Sequence, residues 1–143
     1  MASFRGTFEF TLDAKSRLTI PSKYRAPFAD GVTLAAGVES CVGIWRTEDY
    51  DAWVDSVLDG RSPLAEDYRQ LSRYFSSNAT NTELDGAGRV MVPSFLMRHA
   101  ELEREVALVG TGKSFELWNR DAWAAYNGNV VQNIAEIAAG FGG

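Results

Sequence analysis

The sequence predicts an α+β fold made of two related halves interleaved about a pseudo-twofold axis, and three observations carry that prediction. The first is an internal repeat. Leu12 to Ser22 and Leu84 to Ser94 match position for position at an offset of 72 residues, with Leu, Asp, Arg, Pro and Ser identical. At an offset of 73, Gly37, Trp45, Glu48, Tyr50 and Trp53 correspond to Gly110, Trp118, Asp121, Trp123 and Tyr126. A unit of about seventy residues present twice is too long and too few for a solenoid and describes two related small domains in one chain. The second observation is apolar alternation over short runs, and the third is helical spacing after each set of runs. In 143 residues neither half has enough alternating strand to close a core of its own, so each is expected to lean on the other.

Taken in order, Phe8-Glu9-Phe10-Thr11-Leu12 and Leu18-Thr19-Ile20 alternate and read as half-buried strands of a hairpin whose first strand begins near Phe4. Asp13 to Arg17 is its polar loop. Asp13 and Asp85 structure the two loops by accepting loop N–H groups, and Gly86 and Gly88 give the second loop a permissive backbone. Arg17 and Arg89 either pair with these carboxylates or project outward. Ser16 stands where Gly88 stands in the second loop, a place Ser tolerates at negative φ. Pro-Ser then stops each strand and opens a short helix, Ser22 to Arg25 and Ser94 to Arg98. Val32 to Ala36 with Cys41 to Trp45, and Val106 to Val109 with Phe115 to Trp118, form a second hairpin in each half, with Cys41 buried. Thr47 is the expected N-cap of a helix carrying Tyr50, Trp53, Val54 and Val57. Gly60 to Pro63 ends it, and a further helix carries Leu64, Tyr68, Leu71 and Phe75 on one face. Asn119 caps a last helix through Trp123, Tyr126, Val130, Ile134 and Ile137, with fraying from Gly140 to Gly143. Trp45 and Trp118 end apolar strands and are expected in the core rather than as stacking platforms for bases.

Composition excludes several function classes. No apolar run is long enough to span a bilayer, and the N-terminal residues lack an export signal's apolar core, so a cytoplasmic protein is expected. Ala2-Ser3 before Phe4 is either native or a cloning remnant. A lone cysteine, Cys41, and a lone histidine, His99, leave no metal cluster and no nucleophile–base–acid constellation, so neither catalysis nor a cofactor is expected. Gly86-Ala87-Gly88 lacks the remaining spacing of a phosphate loop. The net charge of −5 is unevenly spread: residues 1–25 hold five cations against Glu9 and Asp13, net +3, while the rest of the chain is acidic. A compact basic surface on an acidic body steers a polyanion to one face. Arginine suits both tasks of duplex recognition, since its planar fork pairs with guanine O6 and N7 or grips a phosphate.

Phe4-Arg5-Gly6-Thr7, Leu12-Asp13-Ala14-Lys15-Ser16-Arg17-Leu18-Thr19-Ile20-Pro21, Asp85-Gly86-Ala87-Gly88-Arg89 and Phe115-Glu116-Leu117-Trp118 together resemble the bacterial MraZ family of the SpoVT/AbrB-like superfamily. The resemblance covers nearly the whole chain. It implies tandem AbrB-like swapped-hairpin β-barrel halves with flanking helices, divided as repeat 1 over 7–54, a helical connector over 55–80, repeat 2 over 81–124, and a C-terminal helix with flexible tail over 125–143. It also implies a nucleoid-associated regulator that assembles into rings and binds repeated promoter elements of the division and cell-wall gene cluster. The expected DNA-binding residues are Arg5, Lys15, Arg17, Lys23 and Arg89. The expected partners are double-stranded DNA and further copies of the chain, with no membrane and no small-molecule substrate. Ser16, where the family commonly has Gly, and Ala87, which leaves the second loop without a lysine, depart from the pattern. The rival reading is an antitoxin-like or scaffold module that uses the same fold to bind a protein.

Overall fold

The computed structural model describes residues 3–142, with side chains through residue 140; Met1, Ala2 and Gly143 of the terminal expectations lie outside them. The fold is α+β, with an antiparallel six-stranded sheet, a two-stranded ribbon and five helices. The strands are β1 (Thr7–Thr11), β2 (Arg17–Thr19), β3 (Val32–Ala36), β4 (Val42–Arg46), β5 (Ala79–Thr82), β6 (Arg89–Met91), β7 (Glu105–Gly110) and β8 (Phe115–Asn119). The helices are α1 (Thr47–Leu58), α2 (Glu66–Ser77), α3 (Ser94–His99), α4 (Arg120–Gln132) and α5 (Ile134–Gly142). Two 3-10 turns, Ser22–Tyr24 and Ala26–Phe28, stand where the second repeat has α3.

The large sheet runs β1-β7-β8-β4-β3-β5 and the ribbon pairs β2 with β6. Under the repeat correspondence this order reads the same from both ends. Each repeat's first strand is given to the other repeat: β1 lies against β7, with Phe8 opposite Leu108, and β5 lies against β3, with Thr80 opposite Leu34. The expected hairpin ladder between β1 and β2 is therefore absent. Asp13 to Arg17 is a tight turn, closed by Asp13 N–H on Arg17 O at 3.1 Å, but the strands leaving it diverge to different partners. Alternation fixes which face of a strand is buried, not which strand lies beside it.

Exchange of strands gives the halves one core. Leu12, Leu18, Ile20, Leu34 and Ile44 of the first repeat pack in one cluster with Val90, Val92, Leu96, Leu108 and Leu117 of the second. The ribbon lies on one face of the sheet, its Leu18 and Val90 turned inward and 1 % exposed. On the opposite face, Ala35 packs with Tyr50 and Phe75 beneath α1 and α2, while Ala107, Val109 and Trp118 pack with Trp123 of α4. The side chains of β3 are all buried as a result. Cys41 is buried immediately before β4, and Trp118 is in the core, with Trp45 half-buried against Trp53.

Asn119 caps α4, its Oδ1 accepting from Ala122 N–H at 3.1 Å. Thr47 does not cap α1; Arg46 holds the N-cap position, and the Thr47 hydroxyl meets Thr33 Oγ1 at 2.9 Å. Leu64 precedes α2 and is exposed. The C-terminal helix breaks at Asn133, and α5 continues helically through Gly142 where fraying was expected.

Candidate nucleic-acid interface

The Asp13 to Arg17 and Asp85 to Arg89 loops are built alike, bond for bond. Asp13 Oδ1 accepts the N–H groups of Lys15 and Arg17, each at 2.9 Å, and Oδ2 accepts Arg17 Nε at 2.6 Å. Asp85 Oδ1 accepts the N–H groups of Ala87 and Arg89, each at 2.9 Å, and Oδ2 accepts Arg89 Nε at 2.8 Å. The backbone N–H of Arg17 holds the Asp13 carboxyl below its ordinary range, and that of Arg89 does the same for Asp85. Each arginine is thus paired through Nε, while its Nη atoms meet no partner among the described residues. The two alternatives, pairing or projecting, are both realised, by different edges of one guanidinium.

Ser16 and Gly88 occupy the same left-handed place in their loops, at φ +58° and +76°. The negative φ anticipated for Ser16 is not what the loop adopts. Gly86 takes no such conformation and has open space around it, so its glycine character is not what shapes the loop.

In the ribbon, Arg17 lies opposite Met91 and Thr19 opposite Arg89. Because strand side chains alternate in direction, these four share the outward face, and Leu18 and Val90 take the inward one. Arg17 and Arg89 are diagonal neighbours, roughly 7–8 Å apart at Cα. Two tethered arginine forks therefore flank exposed Met91 and Thr19 on one surface.

The remaining candidates sit apart from loop 1, save Lys15, which is exposed on that loop. Arg5 adjoins the far end of β1, next to Phe4, which is bridged to Gly112, and its carbonyl accepts the Tyr24 hydroxyl at 3.2 Å. Lys23 Nζ stands 5.1 Å from the centre of the Tyr24 ring. Arg5 and Lys23 thus flank Tyr24, on the chain that leaves β2 beside the second loop, where Ile20 N–H donates to Gly88 O at 2.9 Å. Arg25, which no motif in the sequence marks, lays its guanidinium against Gly88; only the antiparallel ribbon brings the two together.

No competing chemistry assembles among the described residues. There is no group of three or more His, Cys, Asp or Glu side chains able to hold a metal ion, and no helix long and apolar enough to cross a membrane. Burial pushes the Cys41 thiol well above its ordinary value, away from a reactive thiolate, and His99 Nε2 lies against the Glu39 carbonyl.

Two Asp–Arg loops joined through one ribbon, within an α+β protein whose repeats exchange strands, define a tandem-repeat class. The family model described as "MraZ protein, putative antitoxin-like" matches residues 3–71 and 75–139, one match in each half. Proteins called "Transcriptional regulator MraZ" are similar across nearly their whole length: that of Alkaliphilus metalliredigens is 34% identical, covering 94% of each chain. That of Limosilactobacillus fermentum is 34% identical over 98% of this chain and 97% of its own. That of Thermoanaerobacter pseudethanolicus is 31% identical over 93% and 92%. The chain belongs to the MraZ family.

Proposed function

We propose that this protein is a sequence-specific DNA-binding transcriptional regulator, not an enzyme, and that it reads duplex DNA with the outward face of the β2–β6 ribbon. The observation that carries this reading is the pair of loops, alike in their hydrogen bonds, that fix Arg17 and Arg89 through Nε and leave both Nη edges free. A two-stranded ribbon fits a major groove, and the free edge of an anchored guanidinium suits guanine O6 and N7 or a phosphate. Lys15, Lys23 and Arg5 add cations around the loops. The halves correspond to AbrB-like swapped-hairpin barrels, with repeats over 7–54 and 81–124, a connector over 55–80 and a C-terminal part over 125–143. Several subunits close into a ring that engages repeated promoter elements of the division and cell-wall gene cluster, in the cytoplasm at the nucleoid. The relatives' shared name, as regulators of transcription, supports the same conclusion.

The test is fluorescence anisotropy with duplex DNA from upstream of the chain's own gene and an unrelated duplex of equal length. We expect preference for the upstream duplex and a log K against log salt slope of roughly −4 or steeper for the assembled protein, at about −0.9 per phosphate neutralised. Arg17→Ala and Arg89→Ala should each cost on the order of 1–3 kcal/mol for every base edge the arginine reads, and relax that preference. Sequence alone favours Arg17, because Lys15 accompanies it; the matched geometry of the loops favours comparable losses. The antitoxin-like reading, to which the family description also points, predicts no discrimination between duplexes.

A further inference from the structure

The two loops are alike in backbone but differ in their supply of cations. Lys15 in loop 1 corresponds to Ala87 in loop 2, while Lys23-Tyr24-Arg25 after β2 corresponds to Phe95-Leu96-Met97 after β6. Because the ribbon is antiparallel, the segment after β2 emerges beside the second loop, not the first. Arg25 Nε donates to Ile20 O at 2.8 Å, and its guanidinium covers Gly88, where an ideal Cβ would stand 2.5 Å from Arg25 Cζ. No carboxylate lies within ion-pair distance of Arg25 among the described residues. Gly88 is buried in a loop whose Asp85, Gly86 and Ala87 are exposed.

We infer that Arg25 is a further DNA-contacting residue, a phosphate clamp that the first repeat places on the second repeat's loop where that loop lacks a lysine of its own. This rests on the DNA-binding reading above. The matching loop also explains Gly88. Ser16 holds a left-handed conformation with a side chain, so the backbone favours glycine at this place without requiring it. Space adds a second reason at Gly88: a side chain there displaces the Arg25 guanidinium, whereas Met97, the counterpart of Arg25, brings no charge to loop 1. With Nε tied to the Ile20 carbonyl, the Nη edge is held in place and loses little rotamer freedom on gripping an anion. A phosphate contact positions the protein without reading sequence.

Five proteins, wild type, Arg25→Gln, Arg25→Lys, Gly88→Ala and the Arg25→Gln/Gly88→Ala double variant, are titrated with the upstream and unrelated duplexes across a salt series, with near-ultraviolet circular dichroism as a control for the fold. For Arg25→Gln we expect weaker binding to both duplexes by a similar factor and a salt slope shallower by about 0.9 for each second loop engaged. Arg25→Lys, which keeps the charge but not the Nε bond, should restore the slope. Gly88→Ala, which displaces the guanidinium from its seat but keeps its charge, should weaken binding to both duplexes by less than Arg25→Gln does, and should add no further loss when combined with it, because its effect runs through the same guanidinium. An unchanged slope in Arg25→Gln, or a lysine variant that behaves as the glutamine one, overturns the inference while leaving DNA binding standing. If Arg25→Gln does not fold, Gly88→Ala decides alone: wild-type affinity for both duplexes overturns it. Wild-type protein that binds neither duplex refutes the DNA-binding reading and this inference with it.

Discussion

Asp13 and Asp85 are negative charges in the middle of the proposed DNA-binding surface, and their value lies in what they organise. Each carboxylate accepts two loop N–H groups and one guanidinium Nε, so it fixes both the loop and the angle at which the arginine leaves it. Charge counting predicts that removing Asp13 strengthens DNA binding. Pre-organisation predicts the reverse, because the freed loop and the freed arginine must be ordered when DNA binds. Asp13→Ala is therefore expected to weaken binding to the upstream duplex at constant salt, and tighter binding by the variant would show that long-range charge outweighs loop order. Acid provides a second test without mutation. Both carboxyls are held below their ordinary 3.8 by loop N–H donation, foremost that of Arg17 or Arg89. Their contribution to loop order is complete above the unfolded-chain value and is lost as pH falls through the depressed folded-state values. Carboxyl chemical shifts should show Asp13 and Asp85 titrating below the ordinary aspartate value, with the amide signals of Arg17 and Arg89 moving in the same step. A titration of the pair at the ordinary aspartate value would mean that the loop bonds are not formed in solution.

The ribbon is the element that joins the repeats on one face of the sheet, and its inner residues test that joint. Leu18 is 1 % exposed in the shared core, so Leu18→Ala is expected to cost about 2–5 kcal/mol in urea unfolding. The loss should appear as a shift of one cooperative transition, since the main core draws on both repeats; two separated transitions would contradict a shared core. Much at this scale is legible in the sequence. The alternation around Phe8 and Leu18 and the apolar runs of β3, β4, β7 and β8 mark strands within a residue or two, and Asn119 marks the start of α4. Strand partners are not legible, because Phe8 alternates in the same way whether β2 or β7 lies beside it. Ala79–Thr82 carries no apolar alternation at all; β5 forms because β3 offers it an edge, with Asn81 Oδ1 accepting the Thr33 hydroxyl at 2.8 Å. The candidate site divides along the same line. The Asp–Arg spacing announces the loops, whereas the common face of Arg17 and Arg89 and the seat of Arg25 on Gly88 exist only once the ribbon has paired.

At the scale of the whole molecule, few cations must hold DNA against an acidic body of net charge −5, which makes assembly central to the proposed function. One ribbon with two arginines binds weakly, whereas several ribbons on a rigid assembly raise one another's effective concentration once the first has docked. The C-terminal helices offer a candidate surface for the proposed assembly. Val131, Ile134 and Ile137 on α4 and α5 are 61%, 55% and 51% exposed, an apolar stretch that belongs to none of the core clusters of its own subunit. A second copy that covers it with a different part of its surface would make a heterologous contact, which yields a ring when the rotation per step closes and a filament when it does not. Ile134→Asp combined with Ile137→Asp should therefore lower the mass seen by light scattering, with each subunit still folded. The same variant should lose its advantage on DNA carrying several promoter elements while keeping wild-type affinity for DNA carrying one. The fall in mass and the fall in avidity are one effect: each element is gripped as before, and only the link between subunits is gone. A variant reduced to single subunits that still prefers the repeated elements would place cooperativity in the DNA or in another surface, and the C-terminal helices would then have no part in promoter recognition.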